Sequence, residues 1–149
     1  MDSTADRLLT LKVKDAMTHH VVCVSQDQML SEAARLFVEK GISGAPVLDS
    51  EGRCVGVLGA IDYVRREDVR GGAWPVGTEA DRVEQRMSTP VQYVQAEQTL
   101  LTAARLMCER HVHRLPVLDA ERRPVGLITS MDVVAALVNV IDERETLSL

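Results

Sequence analysis

The stretch VGLITSMD at residues 125–132 has a counterpart in VGVLGAID at residues 55–62. Both run from an apolar strand pattern into an acidic residue that suits a helix start. They differ three residues before that acid, where one has Thr129 and the other Gly59. Working outward, the likeness continues without a gap at a fixed offset. VKDAMTHHVVCV at residues 13–24 falls on VEQRMSTPVQYV at residues 83–94, and Leu30 to Val64 falls on Leu100 to Val134. About 20 of some 52 paired positions are identical, which marks an internal repeat. The identities include Met17 and Met87, the Ala-Ala-Arg-Leu blocks, the two Pro-Val-Leu-Asp runs and the Val-Gly pairs.

Each copy reads as β-α-β-β-α. A short strand is predicted at Val21–Val24 and again at Val91–Val94. A helix follows, with Ser25 and Gln28 at capping-box spacing. Its apolar stripe is Leu30, Ala33, Ala34, Phe37 and Val38, ending at Gly41 as a C-cap. The second copy repeats the stripe with Leu100, Ala103, Ala104, Met107 and Cys108. Two buried strands separated by a polar turn come next, then a helix starting near Asp62 or Asp132. One such unit buries too little surface to stand alone. The expected fold class is therefore α/β, two repeats packed through their sheets with approximate two-fold symmetry. The expected boundaries are an N-terminal extension over 1–12, repeat one over 13–68, a linker over 69–82, repeat two over 83–142 and a tail over 143–149. Leu8, Leu9 and Leu11 suggest that the extension holds a short helix. Gly71, Gly72, Pro75 and Gly77 mark the linker as a loop.

The chain has 149 residues, 46% of them apolar, but few aromatics, so its core must come from Val, Leu, Ile, Ala and Met. A net charge of −5 argues against general nucleic-acid binding, which needs a basic surface. No apolar run is long enough for a membrane span, and the acidic start with no long apolar region does not read as a signal peptide. Cys23, Cys54 and Cys108 lie in apolar contexts without CxxC spacing. They read as buried, reduced thiols of a cytoplasmic protein. His19-His20 and His111-x-His113 lack further partners at ligand spacing, so no metal site is expected. There is no P-loop, no GxSxG and no nucleophile paired with a base, so the chain does not read as an enzyme.

The pattern V.DAMT, then L.EA..LF.E..ISG.PVLD..G..VGVL...D, resembles the CBS domain, and the tandem resembles a Bateman module. The resemblance covers residues 13 to about 140. It implies a regulatory module with no catalytic cofactor, binding AMP, ADP, ATP or S-adenosylmethionine. It also implies a homodimer that signals to a partner protein. The alternative is a dimerisation scaffold that binds nothing.

A carboxylate can accept a bond from each of two neighbouring ribose hydroxyls, and helix-start amides suit a phosphate. The resemblance gives Asp132 to the ribose and Thr129 to the ribose or phosphate end. Spacing alone favours a plain helix cap; the repeat and the resemblance favour binding. By the family pattern the base wall of this site comes from the opposite repeat: Thr18, Val21, Val22, Cys23, Ile42, Ser43 and Gly44, with Ile128 beside Thr129. His113 and Arg114 precede a strand as in the γ subunit of AMP-activated protein kinase, which implies phosphate contact; a guanidinium fork suits phosphate oxygens. A second, weaker site would use Asp62 with Ser88, Gln92, Tyr93, Val112 and His113. It lacks a hydroxyl at Gly59.

Overall fold

The computed structural model describes residues 3–64 and 81–148. The expected linker loop therefore lies outside the described residues, apart from Asp81 and Arg82. The chain divides into two compact units, Val22–Val91 and a discontinuous one made of Met1–Val21 with Gln92–Leu149.

In the continuous unit, β1 (Val24–Ser25) runs parallel to β2 (Gly44–Leu48), which pairs antiparallel with β3 (Cys54–Gly59). Helix α3 (Leu30–Lys40) covers this sheet, and a 3-10 turn follows at Ala60–Tyr63. A short helix, α4 (Val83–Arg86), completes the unit. Its core is Val24, Leu30, Ala33, Phe37, Ala45, Val47, Leu58 and Val83. The Tyr63 hydroxyl donates to the Leu30 carbonyl at 2.8 Å, and its ring meets Phe37 edge-on. Burial, and then the nearby Asp62 charge, push the Tyr63 hydroxyl up to about 12.

The discontinuous unit holds α1 (Thr4–Thr10), α2 (Val13–Ala16), α5 (Leu100–Arg110) and α6 (Ser130–Ser148). Its strands β4 (Arg114–Leu118) and β5 (Pro124–Thr129) form an antiparallel hairpin. The core repeats the other one: Val13, Val94, Leu100, Ala103, Met107, Leu115, Val117 and Ile128. Helix α1 is the expected N-terminal helix. A serine cap at Ser3 starts it, with Asp6 as the reciprocal partner. Helix α6 runs on to Ser148, into residues expected to be a tail.

The segment that leads into each repeat is thus built into the unit of the other repeat. Backbone bonds make this explicit. Leu30 N–H donates to Asp81 and Val83 N–H to Gln28, at 2.8 and 2.9 Å. Seventy positions away in register, Leu100 N–H donates to Leu11 and Val13 N–H to Gln98, both at 2.8 Å. Each helix therefore has a first-turn amide, which no intrahelical carbonyl can reach, satisfied by the exchanged segment. Ser88 pairs with Val57, and Thr18 with Leu127. The Val-Gly identities follow from the same packing. A Cβ at Gly56 would lie 2.6 Å from Met87 Sδ, and one at Gly126 would lie 2.6 Å from Met17 Sδ.

Several expectations need correction. The strand expected over Val21–Val24 is only Val24–Ser25, and its counterpart at Val91–Val94 is a single bridge from Val94 to Val117. The chain passes from one unit to the other at Val21–Val22 and at Val91–Gln92, outside the strands. Ser25 and Gln28 do not cap α3, whose N-cap is Met29; they close the turn before it, with Ser25 N–H donating to Gln28 Oε1 at 3.2 Å. Gly41 is the expected left-handed C-cap at φ 63°, and His111 takes that conformation in α5. Val38 is 83% exposed and is no part of the core stripe, while Leu36 packs against it instead. Cys108 is likewise exposed, against the expectation of three buried thiols; Cys54 is buried and Cys23 half-buried. Burial, with a smaller contribution from Cys54, pushes the Cys23 thiol up to about 11, so it is protonated at neutral pH. The helix expected from Asp62 is described only as the 3-10 turn at Ala60–Tyr63, since residues from 65 lie outside the described part.

Candidate functional site at the strand-to-helix junction

Strand β5 ends on Thr129 and α6 begins on the next residue. Thr129 N–H donates to Asp132 Oδ2 at 2.8 Å, and Asp132 N–H donates to Thr129 Oγ1 at 3.1 Å. This reciprocal pair fixes both side chains at the helix start, where the dipole favours an anion. Among the described residues no hydrogen bond reaches Asp132 Oδ1, and the side chain is half-buried. The carboxylate therefore keeps open acceptor positions.

The β4–β5 hairpin brings in the next two residues. Arg114 stands opposite Thr129, and Ser130 N–H donates to the His113 carbonyl at 2.9 Å. His113 is exposed and Arg114 half-buried. Thr18 is anchored next door through two backbone bonds to Leu127, at 2.8 and 2.9 Å. Ile128 is fully buried in the core, so only its backbone is offered to the junction. Val21 lies in this unit and is half-buried. Of the expected site residues, this unit brings Thr18, His113, Arg114, Thr129 and Asp132 into one neighbourhood. Val22, Cys23, Ile42, Ser43 and Gly44 belong to the other unit.

In that unit the equivalent junction has the same hairpin register and different chemistry. Gly44 pairs with Gly59, and Ala60 N–H donates to the Ser43 carbonyl at 2.9 Å. Ile42 packs on the core. Gly59 N–H donates to Asp62 Oδ2 at 2.7 Å, and Ser88 Oγ–H donates to Oδ1 at 3.4 Å. Asp62 is only 2% exposed. Gln92, Tyr93, Val112 and His113, expected around Asp62, belong to the discontinuous unit. There the Tyr93 ring lies under the Arg122 guanidinium, 5.0 Å from centroid to Cζ, a cation–π contact at the hairpin turn. The sequence reading missed both this contact and the bond from Ser88 to Asp62. The alignment of Ser88 with Thr18 was the available signal for the second. No group of three or more potential metal ligands occurs among the described residues.

The chain belongs to the CBS domain family, whose model matches residues 13–68 and 81–139. The structure of CBSX2 in complex with AMP is 28% identical, covers 87% of this chain and 98% of its own, and superposes with a TM-score of 0.74. CBSX2 is a chloroplastic CBS domain-containing protein of Arabidopsis thaliana. The CBS domain pair of protein MJ0100, solved with 5′-methylthioadenosine and S-adenosyl-L-methionine, shares the fold at 22% identity and a TM-score of 0.74, over 87% of this chain and 98% of its own. A homoserine O-acetyltransferase of Methanohalobium evestigatum is 26% identical over 81% of this chain. The chain spans only 23% of that enzyme's length, and 21% of its Methanosarcina acetivorans counterpart.

Proposed function

We propose that the chain is a regulatory module that holds an adenosine nucleotide at the β5–α6 junction and transmits its occupancy to a partner protein. The observation that carries this reading is the Thr129–Asp132 pair with its open carboxylate oxygen, at the end of a hairpin in which Arg114 stands opposite Thr129. Asp132 takes the ribose diol, Thr129 the ribose or phosphate end, and Arg114 with His113 the phosphate. The base wall comes from Thr18, Val21, Val22, Cys23, Ile42, Ser43 and Gly44. AMP is the first candidate, since CBSX2 was solved with it. ADP, ATP and S-adenosylmethionine belong to the same class. The role is regulatory rather than catalytic, and the location cytoplasmic. No helix among the described residues is long and apolar enough to cross a membrane.

The hydroxyl of Thr129 provides the test of the site. Thr129→Gly removes one bond worth about 0.5–1.5 kcal/mol, so AMP affinity measured by calorimetry should fall a few-fold to tenfold. Unchanged affinity for AMP, ATP and S-adenosylmethionine would reduce Thr129 to a helix cap. The reverse change is sterically open. Gly59 has φ −126°, and a Cβ there meets nothing closer than 3.7 Å. Gly59→Thr should therefore fold and raise the melting temperature by supplying the missing cap.

The same reading includes a homodimer. Met131, Val134, Leu137, Val138 and Ile141 leave a long exposed apolar face on α6. Beside it lies a cavity of about 160 Å³ lined by Leu8, Leu9, Leu100, Leu101, Ala104, Val133 and Leu137. An apolar surface of this kind calls for a cover. Light scattering is expected to give twice the chain mass at micromolar concentration, and a monomer would contradict it. The same face also favours the second reading, a scaffold without a ligand. Thermal shift with an adenosine panel separates the two, because only a bound ligand raises the melting temperature.

A further inference from the structure

We propose that Ser88 keeps Asp62 from taking a sugar diol, and so limits the chain to one tightly bound nucleotide. This rests on the reading of Asp132 as a ribose contact. The two carboxylates occupy equivalent places at the two junctions, and both accept a backbone N–H through Oδ2, from Gly59 at 2.7 Å and from Thr129 at 2.8 Å. They differ at Oδ1. Asp62 Oδ1 receives the Ser88 hydroxyl at 3.4 Å, whereas among the described residues no hydrogen bond reaches Asp132 Oδ1. They also differ in exposure. Asp62 is 2% exposed and is the one buried charged side chain among the described residues, while Asp132 is half-buried.

The cause is local. Ser88 and Thr18 hold the same backbone position in the two units. Ser88 exchanges two backbone bonds with Val57, at 3.2 and 2.8 Å, as Thr18 does with Leu127. The register is thus the same and both residues carry a hydroxyl, but only that of Ser88 is bonded to its aspartate. A cis-diol donates two hydrogen bonds to the two carboxylate oxygens, and since Oδ2 of each acid already accepts a backbone N–H it leans most on Oδ1. The serine hydroxyl already donates to one of them in a site with no exposed surface to spare. At 3.4 Å this bond is at the long end of the range, so the serine acts as a weak latch on the carboxylate rather than as a permanent partner.

Calorimetry with AMP tests this on four proteins. Wild type should bind one equivalent, and Asp132→Asn should bind it at least tenfold more weakly. Ser88→Ala should gain a second equivalent at least tenfold tighter than any second binding in wild type. Ser88→Ala combined with Asp132→Asn should keep that one equivalent. The proposal is overturned if the double variant melts cooperatively and binds no AMP. It is equally overturned if wild type binds two equivalents and Asp62→Asn removes one. If alanine at position 88 abolishes the cooperative melt, Ser88→Cys keeps the volume with a much weaker donor and must give the same extra equivalent. Wild type that binds no AMP, or binds it equally well after Asp132→Asn, fails at the Asp132 step. That result rejects the ribose reading and the proposal with it.

Discussion

Asp132→Ala should weaken AMP binding by tenfold or more. The carboxylate accepts up to two hydrogen bonds from the ribose, and a hydrogen bond to a charged group contributes about 1.5–3 kcal/mol. Each 1.4 kcal/mol is a factor of ten in affinity. The same carboxylate also accepts the Thr129 N–H at 2.8 Å, so alanine removes a helix cap as well. That second loss should lower the melting temperature without ligand, at a cost of about 0.5–2 kcal/mol. Asp132→Asn separates the two effects. Its amide oxygen can still accept from Thr129, but the charge is gone. Calorimetry should then show lost affinity with a nearly unchanged melting temperature in the apo protein. Equal affinity in wild type, Asp132→Ala and Asp132→Asn would remove the ribose assignment.

Gly126→Ala should destabilise the protein by about 1–3 kcal/mol, the usual range for overpacking a filled site. The new Cβ would lie 2.6 Å from Met17 Sδ and 3.0 Å from the Thr18 carbonyl oxygen. The sulfur sits on a flexible chain and can turn away. The carbonyl cannot, because Thr18 is held to Leu127 by two backbone bonds. Gly56→Ala is the internal control. Its three nearest atoms all belong to the Met87 side chain, the closest at 2.6 Å. A thioether can repack, so Gly56→Ala should cost clearly less than Gly126→Ala. Urea denaturation giving equal midpoints for the two variants would contradict this account of the Val-Gly pairs.

Much of the fold was legible because the repeat appears twice. Leu30, Ala33 and Phe37 recur as Leu100, Ala103 and Met107, and all six are core. Val38 and Cys108 were read into the stripe because they are apolar and adjacent to it. Eight residues on from Leu30 or Leu100, each has turned to the flank of its helix, and Leu36 and Leu106 serve the core from the other flank. The exchanged segments were not legible. Residues 13–21 open repeat one in sequence, and no local pattern says that their partners are Leu127, Ala96 and Gln98. At the site, the Thr129–Asp132 pair was visible because cap spacing is local. The latch on Asp62 was not, since the Ser88 hydroxyl reaches it from a separate stretch of chain.

The exchange has a consequence for the order in which the protein is made. All residues of the continuous unit, Val22–Val91, exist once Val91 has been synthesised, so its long-range pairings can form while the chain is still growing. The other unit has one piece made before the continuous unit and one after it. Met1–Val21 leaves the ribosome before the continuous unit, yet Thr18 finds its backbone partner only when Leu127 has emerged. Until then Val13 and Met17 have no core to enter, and closing that pairing spans the whole intervening unit. Residues born ahead of the continuous unit are housed only after it.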